Sequence, residues 1–214
     1  MLYPLRWSLS LFSTLLRLGA GRAGPTSIIK DQLPILYEFA ACPWCRIARE
    51  SISEAGLSVL VRPCPKGGEK FRPSVQELGG KAQFPFYMDE FVPKGMYESG
   101  DISKTMRTEY GAPRPLVHWL GLFNGILSSY AVLLGFTGGG TVSPSKPQSA
   151  PLVLYGNEAS PSARLIKARL SCFELEYIWH SAHRGSPRLE DPATGETLLG
   201  GADAINYLAS RYAS

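Results

Sequence analysis

The spacing of apolar and polar positions predicts a regular series of strands and helices in the first half of the chain. Short apolar runs predict strands, and stretches with apolar residues every three to four positions predict helices. In chain order these elements are strand 35–39, helix 43–55, strand 58–63, helix 72–78, strand 85–89, strand 95–97 and helix 99–109. The order βαβ, helix, β-hairpin, helix predicts an α/β fold over residues 34–112.

The second half repeats parts of the first. A shift of 118 residues aligns Leu36-Tyr37 with Leu154-Tyr155, Cys42-Pro43 with Ser160-Pro161, Arg46 with Arg164, Leu57 with Leu175, and Lys66-Gly67 with Arg184-Gly185. Farther on, the shift falls to 102, which pairs Asp101 with Asp203 and Tyr110 with Tyr212. We therefore predict two tandem lobes, the second truncated. By this interpretation the second lobe lacks the strand that follows Phe84-Pro85, and its sheet has an unpaired edge.

An uncharged segment at 116–136 separates the two predicted lobes. Its length would allow it to cross a bilayer, but Asn124, Ser128 and Ser129 lie in its middle. We favour a helix or hairpin packed against the lobes and leave a membrane span as the alternative. Residues 137–150, rich in Gly, Pro and Ser, are typical of a linker.

The N-terminal segment 1–33 has the composition of a targeting sequence. It contains Arg6, Arg17 and Arg22 and has no acidic residue before Asp31. An organelle presequence is the favoured interpretation, with a secretory signal or a helix of the mature fold as alternatives. The predicted organisation is thus 1–33 targeting segment, 34–112 first domain, 113–150 hydrophobic helix and linker, and 151–214 degenerate second copy.

Composition excludes several classes of protein. The chain has 214 residues, of which 44% are hydrophobic and 19% charged, which is typical of a globular protein. Four irregularly spaced cysteines are too few for a secreted disulfide scaffold. The net charge of +4 is modest and gives little support to nucleic-acid binding.

Cys42-Pro43-Trp44-Cys45 is the strongest candidate for chemistry, because it lies between a predicted strand and a predicted helix. A helix N-terminus favours the thiolate form of a cysteine at its cap, and proline suits the first helical position. Arg46 and Arg49 add positive charge nearby. Cys42 is therefore the predicted nucleophile and Cys45 the predicted resolving thiol.

Two other interpretations of these cysteines stay open. A zinc half-site is disfavoured because the sequence contains no second CxxC and no His pair, so we expect no metal. Two inert core thiols are the other alternative. Cys64, at the end of the second predicted strand, is either a further resolving thiol or a small core side chain. Cys172 is most simply a core residue.

Several short motifs together carry a resemblance to a known family. They are Leu36-Tyr37-Glu38-Phe39, Cys42-Pro43-Trp44-Cys45-Arg46, Pro63-Cys64-Pro65-Lys66-Gly67, Gly79-Gly80-Lys81, Phe84-Pro85-Phe86 and Met96-Tyr97-Glu98-Ser99-Gly100-Asp101-Ile102. In this order they resemble the N-terminal, glutathione-binding domain of glutathione S-transferases, in the glutaredoxin-like branch. The resemblance implies a thioredoxin-like fold.

The same resemblance implies a glutathione site. Pro85 would be a cis-proline, the Phe84 backbone would pair with the cysteinyl part of glutathione, and Glu98 and Ser99 would hold its γ-glutamyl end. A helix that begins near Ser99 suits a carboxylate ligand, although Ser99 could equally be a simple N-cap. A tandem arrangement behind a presequence resembles plastidial proteins of plants and algae, which implies the chloroplast, with the mitochondrion or a membrane as alternatives.

These observations lead to one expected function and its alternatives. We expect a glutathione-dependent thiol–disulfide oxidoreductase that uses glutathione as cosubstrate and acts on disulfide-bonded or glutathionylated proteins. The alternatives are a non-catalytic glutathione-binding module, in solution or associated with a membrane, a transferase-like protein, and a glutaredoxin-like prostaglandin E synthase. The second copy has Ser160-Pro161-Ser162-Ala163 in place of CxxC. It is expected to serve as a scaffold.

Overall fold

A computed structural model describes residues 3–120, 122–135 and 138–214. Within these ranges the chain forms helices and strands that alternate along most of its length. The α-helices are α1 (Tyr3–Leu16), α2 (Pro43–Ala55), α3 (Arg72–Gly79), α4 (Ser99–Tyr110), α5 (Leu122–Gly135), α6 (Pro161–Cys172) and α7 (Gly201–Tyr212). The strands are β1 (Ile35–Glu38), β2 (Ser58–Pro63), β3 (Phe86–Met88), β4 (Leu152–Tyr155), β5 (Tyr177–His180), β6 (Arg188–Asp191) and β7 (Glu196–Leu199). A 3₁₀ turn at Leu116–Leu120 precedes α5.

The strands form one sheet rather than two separate ones, in the order β3-β1-β2-β5-β4-β6-β7. In each half of the chain the first two strands are parallel and the next is antiparallel to the first. The halves meet where β2 and β5 pair antiparallel, with Ser58 opposite His180 and Val61 opposite Tyr177. A mixed sheet with βαβ crossovers of this kind is consistent with the predicted thioredoxin-like fold.

Helices cover both faces of the first half of the sheet. Leu36 of β1 packs into a large core under α2 and α4 that continues beneath α6 and α7 of the second half. The next residue, Tyr37, faces the opposite side and joins a smaller cluster with Cys64, Val75 of α3 and Phe86. Alternate burial along β1 therefore separates the two cores.

The prediction that the second half lacks a strand is wrong. Strand β6 follows Ser186-Pro187 and pairs antiparallel with β4, and β7 pairs with β6. The shorter second half instead connects β5 to β6 without a helix equivalent to α3. The predicted strand 95–97 is also not formed, because Met96 makes only an isolated bridge with Tyr87.

The N-terminal segment is a helix with buried contacts. Helix α1 packs against α5 and α6, and α5 packs against α2, so the pair lies over the α2 and α6 layer. Ser10 and Ser128, 118 positions apart, donate to the carbonyls of Pro161 and Pro43, at 3.4 and 2.7 Å. The targeting role predicted for residues 1–33 stays a prediction.

The segment between the halves is a 3₁₀ turn, α5 and an ordered connection. Within the described residues each helix is too short or too polar to cross a bilayer. The predicted linker is not free of contacts, because Thr141 bridges Lys66 and Ser145 bridges Ala213. Gly121, Phe136 and Thr137, which belong to these predictions, lie outside the described residues.

Candidate thiol site and glutathione groove

Cys42 caps the N-terminus of α2, as the sequence predicts. Its backbone is extended, with φ −86° and ψ 122°, and Pro43 occupies the first helical position. The Cys45 N–H, which has no acceptor inside the helix, donates to the Cys42 sulfur at 3.1 Å. The sulfur thus lies at the N-terminus of α2, where partial positive charge accumulates.

The surroundings of Cys42 favour its thiolate. A hydrogen bond from the Cys45 thiol lowers the pKa of Cys42, burial opposes this, and the Cys45 N–H and the charge of Arg49 lower it further. The buried carboxylate of Glu38 has the opposite effect. Arg46, which the sequence suggested as a second source of positive charge, turns away from the thiols and binds Glu50 and Ser13.

Cys45 differs from Cys42 in that its surroundings favour the protonated thiol. It is fully buried in the first turn of α2, and this burial raises the pKa of its thiol well above the ordinary value. The hydrogen bond that it gives to Cys42 and the negative charge of a Cys42 thiolate act in the same direction. One thiol is thus ionised at the expense of the other.

Phe84 and Pro85 lie beside the thiols, where the resemblance places them. The peptide bond between them is cis. The carbonyl oxygen of Phe84 lies 4.0 Å from the Cys42 sulfur, and the Phe84 ring packs edge-on against Phe39 after β1. The backbone at Phe84 therefore borders the position at which a second sulfur would approach Cys42.

Glu98 and Ser99 stand at the N-terminus of α4 on the same groove. Glu98 has φ +64°, a left-handed conformation that is uncommon outside glycine and recurs at functional sites. Its carboxylate accepts a hydrogen bond from the Gln83 side chain at 2.6 Å. Ser99 begins the helix, so its N–H is among those with no acceptor inside α4. A carboxylate is the ligand that such a helix start prefers.

These residues share one groove of about 710 Å³. Phe84, Pro85, Glu98 and Ser99 line it together with Trp44 of α2. The structure therefore brings the four predicted binding residues to one surface, next to the CxxC turn.

The far wall of the groove was not predicted. It consists of Arg107 in the last turn of α4, Arg114 and His118 after it, and Asn124 and Gly125 of α5. The uncharged segment that suggested a membrane span thus supplies part of this wall. Its contribution depends on long-range packing, and only the absence of charge at 116–136 marked the segment as unusual.

Access to Cys42 is narrow. The residue is 4% exposed and is not among those that line the groove, whereas its neighbours Trp44 and Phe84 are. The Trp44 ring packs closely against α5, because a Cβ atom at Gly125 would lie 2.4 Å from it. The Cys42 sulfur is thus nearly closed to solvent, next to a groove that Trp44 and Phe84 line.

The other cysteines are placed as core residues. Cys64 is fully buried with Tyr37, Val75 and Phe86, and burial raises the pKa of its thiol. The resolving role considered for Cys64 therefore finds no support in its surroundings. Cys172 ends α6 and is half-buried. Within the described ranges no group of His, Cys, Asp and Glu is arranged to hold a metal ion.

The second half contains a matching but closed site. Ser160 caps α6 as Cys42 caps α2, and its hydroxyl accepts from the Ala163 N–H at 3.3 Å. Gly201 stands at the start of α7, where Ser99 starts α4. The Tyr3 hydroxyl from α1 lies over this point, 3.0 Å from Ser162 and 2.2 Å from the place of a Cβ on Gly201. The space that corresponds to a ligand is thus filled by a side chain of the protein.

Comparison with known proteins agrees with this geometry. Residues 36–114 match the family described as glutathione S-transferase, N-terminal domain. No curated protein and no solved structure shows a significant match to the chain. The matched range runs from β1 to the residues after α4 and contains the CxxC turn, the cis-proline and the Glu98-Ser99 pair. Residues 36–114 therefore form a glutathione S-transferase N-terminal domain with a thioredoxin-like fold.

Proposed function

We propose that the chain is a glutathione-dependent thiol–disulfide oxidoreductase, with Cys42 as nucleophile. The observation that carries this proposal is the position of the Cys42 sulfur. It caps α2 in surroundings that lower its pKa, 4.0 Å from the Phe84 carbonyl and beside a groove that Ser99 also lines. A thiolate next to a helix start that suits a carboxylate fits a thiol-containing peptide with a free carboxyl group.

The reaction proceeds by two thiol–disulfide exchanges. The Cys42 thiolate attacks the glutathione sulfur of a glutathionylated protein, so that a Cys42–glutathione disulfide forms and the protein thiolate leaves and takes up a proton. A second glutathione, as thiolate, then attacks the bound glutathione sulfur. Oxidised glutathione leaves and the Cys42 thiolate is regenerated, so glutathione is the reductant.

Cys45 offers a second way to complete the reaction. Its thiol would lose a proton and attack Cys42, which releases glutathione and leaves a Cys42–Cys45 disulfide. Because burial holds the pKa of Cys45 high, we expect this route to be the slower one.

Replacement of each cysteine tests the mechanism. We expect Cys42→Ser to abolish the reduction of a glutathione mixed disulfide, and Cys45→Ser to keep part of the activity because external glutathione can resolve the intermediate. Release of oxidised glutathione, coupled to glutathione reductase, gives the rate. Cys64→Ser is the matched control, since its thiol is buried in the core and should not take part. Wild-type turnover in Cys42→Ser would refute the mechanism.

A non-catalytic glutathione-binding module is the second candidate. The observation that favours it is the 4% exposure of Cys42, which leaves little room for attack on a protein disulfide. Calorimetric titration with glutathione separates the two functions. Binding that Ser99→Ala weakens, in a protein without turnover, would support the module.

We also propose that the second half is a scaffold derived from a copy of the first. Both halves have a βαβ unit, a strand antiparallel to the first and a closing helix. The serine in place of Cys42 and the tyrosine over the closed site also support the proposal. The proposal leaves one site per chain. The chloroplast remains the proposed location, on the resemblance alone.

A further inference from the structure

Helix α1 has its polar side turned inward and its apolar side turned outward. Ser10 and Ser13 are fully buried. Leu5, Phe12 and Leu15 are 59%, 49% and 62% exposed. A helix on the surface of a water-soluble protein normally has the opposite arrangement.

Helix α5 repeats this inverted arrangement. Ser128 and Ala131 are fully buried, whereas Phe123, Tyr130 and Leu133 are 66%, 57% and 61% exposed. Three of these positions correspond to α1 at a spacing of 118, with Leu5, Phe12 and Leu15 matching Phe123, Tyr130 and Leu133. Both helices thus present large apolar side chains outward at equivalent positions.

The inward faces resemble those of helices packed within a membrane. Small and hydroxyl-bearing residues let the backbones approach, and the hydroxyls bond to carbonyls, as Ser10 and Ser128 do with Pro161 and Pro43. Since α1 and α5 pack on each other, their outward faces adjoin. We call these adjoining faces, with exposed Trp7 of α1, the outer apolar surface. Large surfaces of this kind mark interaction sites.

The two chain segments that form the outer apolar surface contain basic residues and no acidic ones. Residues 1–30 and 112–157, which contain both helices, have no acidic residue. Arg6, Arg22 and Arg114 in these segments are exposed. Cations beside an apolar, aromatic-bearing surface are complementary to anionic lipid headgroups.

Helices α1 and α5 are too short to cross a bilayer. Each has 14 residues, which corresponds to about 21 Å at 1.5 Å per residue, against a hydrocarbon core of about 30 Å. We propose that the outer apolar surface rests in the headgroup region of an anionic lipid bilayer, with neither helix crossing it. This proposal does not depend on the thiol chemistry.

Binding to vesicles tests the proposal. We expect the full chain to sediment with phosphatidylcholine–phosphatidylglycerol vesicles, less with phosphatidylcholine alone, and less at high salt. Brominated acyl chains should quench the emission of Trp7. The variant Leu15→Asp/Leu133→Asp should lose both effects, because it puts a negative charge on each helix at equivalent positions.

The matched control is Leu199→Asp, at an equally exposed apolar residue on β7, 67% exposed. It should bind vesicles like the wild type. Thermal unfolding of each variant in buffer is compared with that of the wild type. Equal unfolding temperatures would show that a variant that loses vesicle binding is still folded. The proposal would be overturned if the wild-type chain did not sediment with anionic vesicles. A stable dimer would also overturn it, if the double variant abolishes the dimer and vesicles do not dissociate it. A second copy of the chain, rather than lipid, would then cover the outer apolar surface.

Discussion

Cys45, three residues farther along the chain, favours ionisation of Cys42. The Cys45 thiol is the leading cause of the low pKa of Cys42, ahead of the Cys45 N–H and Arg49. The structural role of Cys45 therefore extends beyond resolution of a disulfide. Its removal should change the ionisation of Cys42 even when glutathione does all the resolving.

Two substitutions at Cys45 separate these roles. Cys45→Ala removes the donor, so the pKa of Cys42 should rise, and alkylation by iodoacetamide at mildly acidic pH should slow several-fold. Cys45→Ser keeps an O–H donor and should change the pKa of Cys42 less. Thiolate absorbance against pH, in chains that also carry Cys64→Ser and Cys172→Ser, gives the pKa. An equal pKa for Cys42 in the alanine and serine variants would contradict this assignment.

The sequence predicted the thiol turn correctly because the residues that determine its structure are neighbours in the chain. Cap, proline and second thiol lie within four residues, so the position of Cys42 and the start of α2 follow from the sequence alone. The roles of Arg46 and Glu38 did not follow. Arg46 faces α1, and Glu38 is brought under the thiols by the sheet, so both depend on packing between distant segments.

At the scale of elements, α1 is tied to the groove through buried charges. Arg17, directly after α1, bonds to Glu50 of α2 at 2.6 Å, and both side chains are fully buried. His118, in the groove wall, lies 3.2 Å from the same carboxylate. Burial would raise the pKa of Glu50, but the hydrogen bonds from His118 and Arg17 hold it well below its usual range. The N-terminal segment thus neutralises a charge in the helix that carries the thiols.

Loss of this ion pair should be costly. Arg17→Met removes the closest partner of Glu50 but leaves it Arg46 at 3.1 Å and His118 at 3.2 Å. Removal of one partner of a buried pair typically costs about 3–5 kcal/mol, and we expect the lower part of that range here. The free energy of unfolding, from urea denaturation at neutral pH, should fall by this order. Arg6→Met, at an exposed arginine of α1, is the matched control and should be close to neutral. Equal stability of the two variants would show that α1 does not support α2.

The inverted pattern of α1 explains why the sequence pointed elsewhere. Arginines, serines and leucines without acidic residues are typical of targeting segments, and they are also what a helix with a polar inner face and an apolar outer face contains. A targeting segment and such a helix differ only in the contacts that the helix makes with the rest of the fold. The contact residues, Glu50 and Pro161, are far away in the chain. A helix of the mature fold was therefore one of three interpretations.

At the scale of the whole molecule, the halves share both a sheet and a buried charge cluster. Arg49 of α2 pairs with Glu158 at 3.0 Å, and Lys167 of α6 pairs with the same carboxylate at 2.7 Å, all of them buried. Arg49 also lowers the pKa of Cys42. The second half therefore holds in place a charge that acts on the thiol of the first, although its own site is closed.

The continuous sheet was not predicted, although one clue was available. The shift of 102 that pairs Tyr110 with Tyr212 also pairs Phe84-Pro85 with Ser186-Pro187, and this identifies β6 as the equivalent of β3. The antiparallel pairing of β2 with β5 has no local signal, because a short strand of alternating burial fits an edge or a centre of a sheet equally well.

A divided chain tests how far the first half depends on the second. Residues 1–112 alone would expose the edge of β2 and leave Arg49 without Glu158, so we expect loss of native near-ultraviolet circular dichroism and turnover close to background. Mixing with residues 113–214 should restore turnover, because the sheet and the charge cluster can re-form. A chain cut only in the exposed β6–β7 turn, at 192–195, controls for the effect of a cut. Full turnover by monomeric 1–112 would mean that the second half does not support the site of the first.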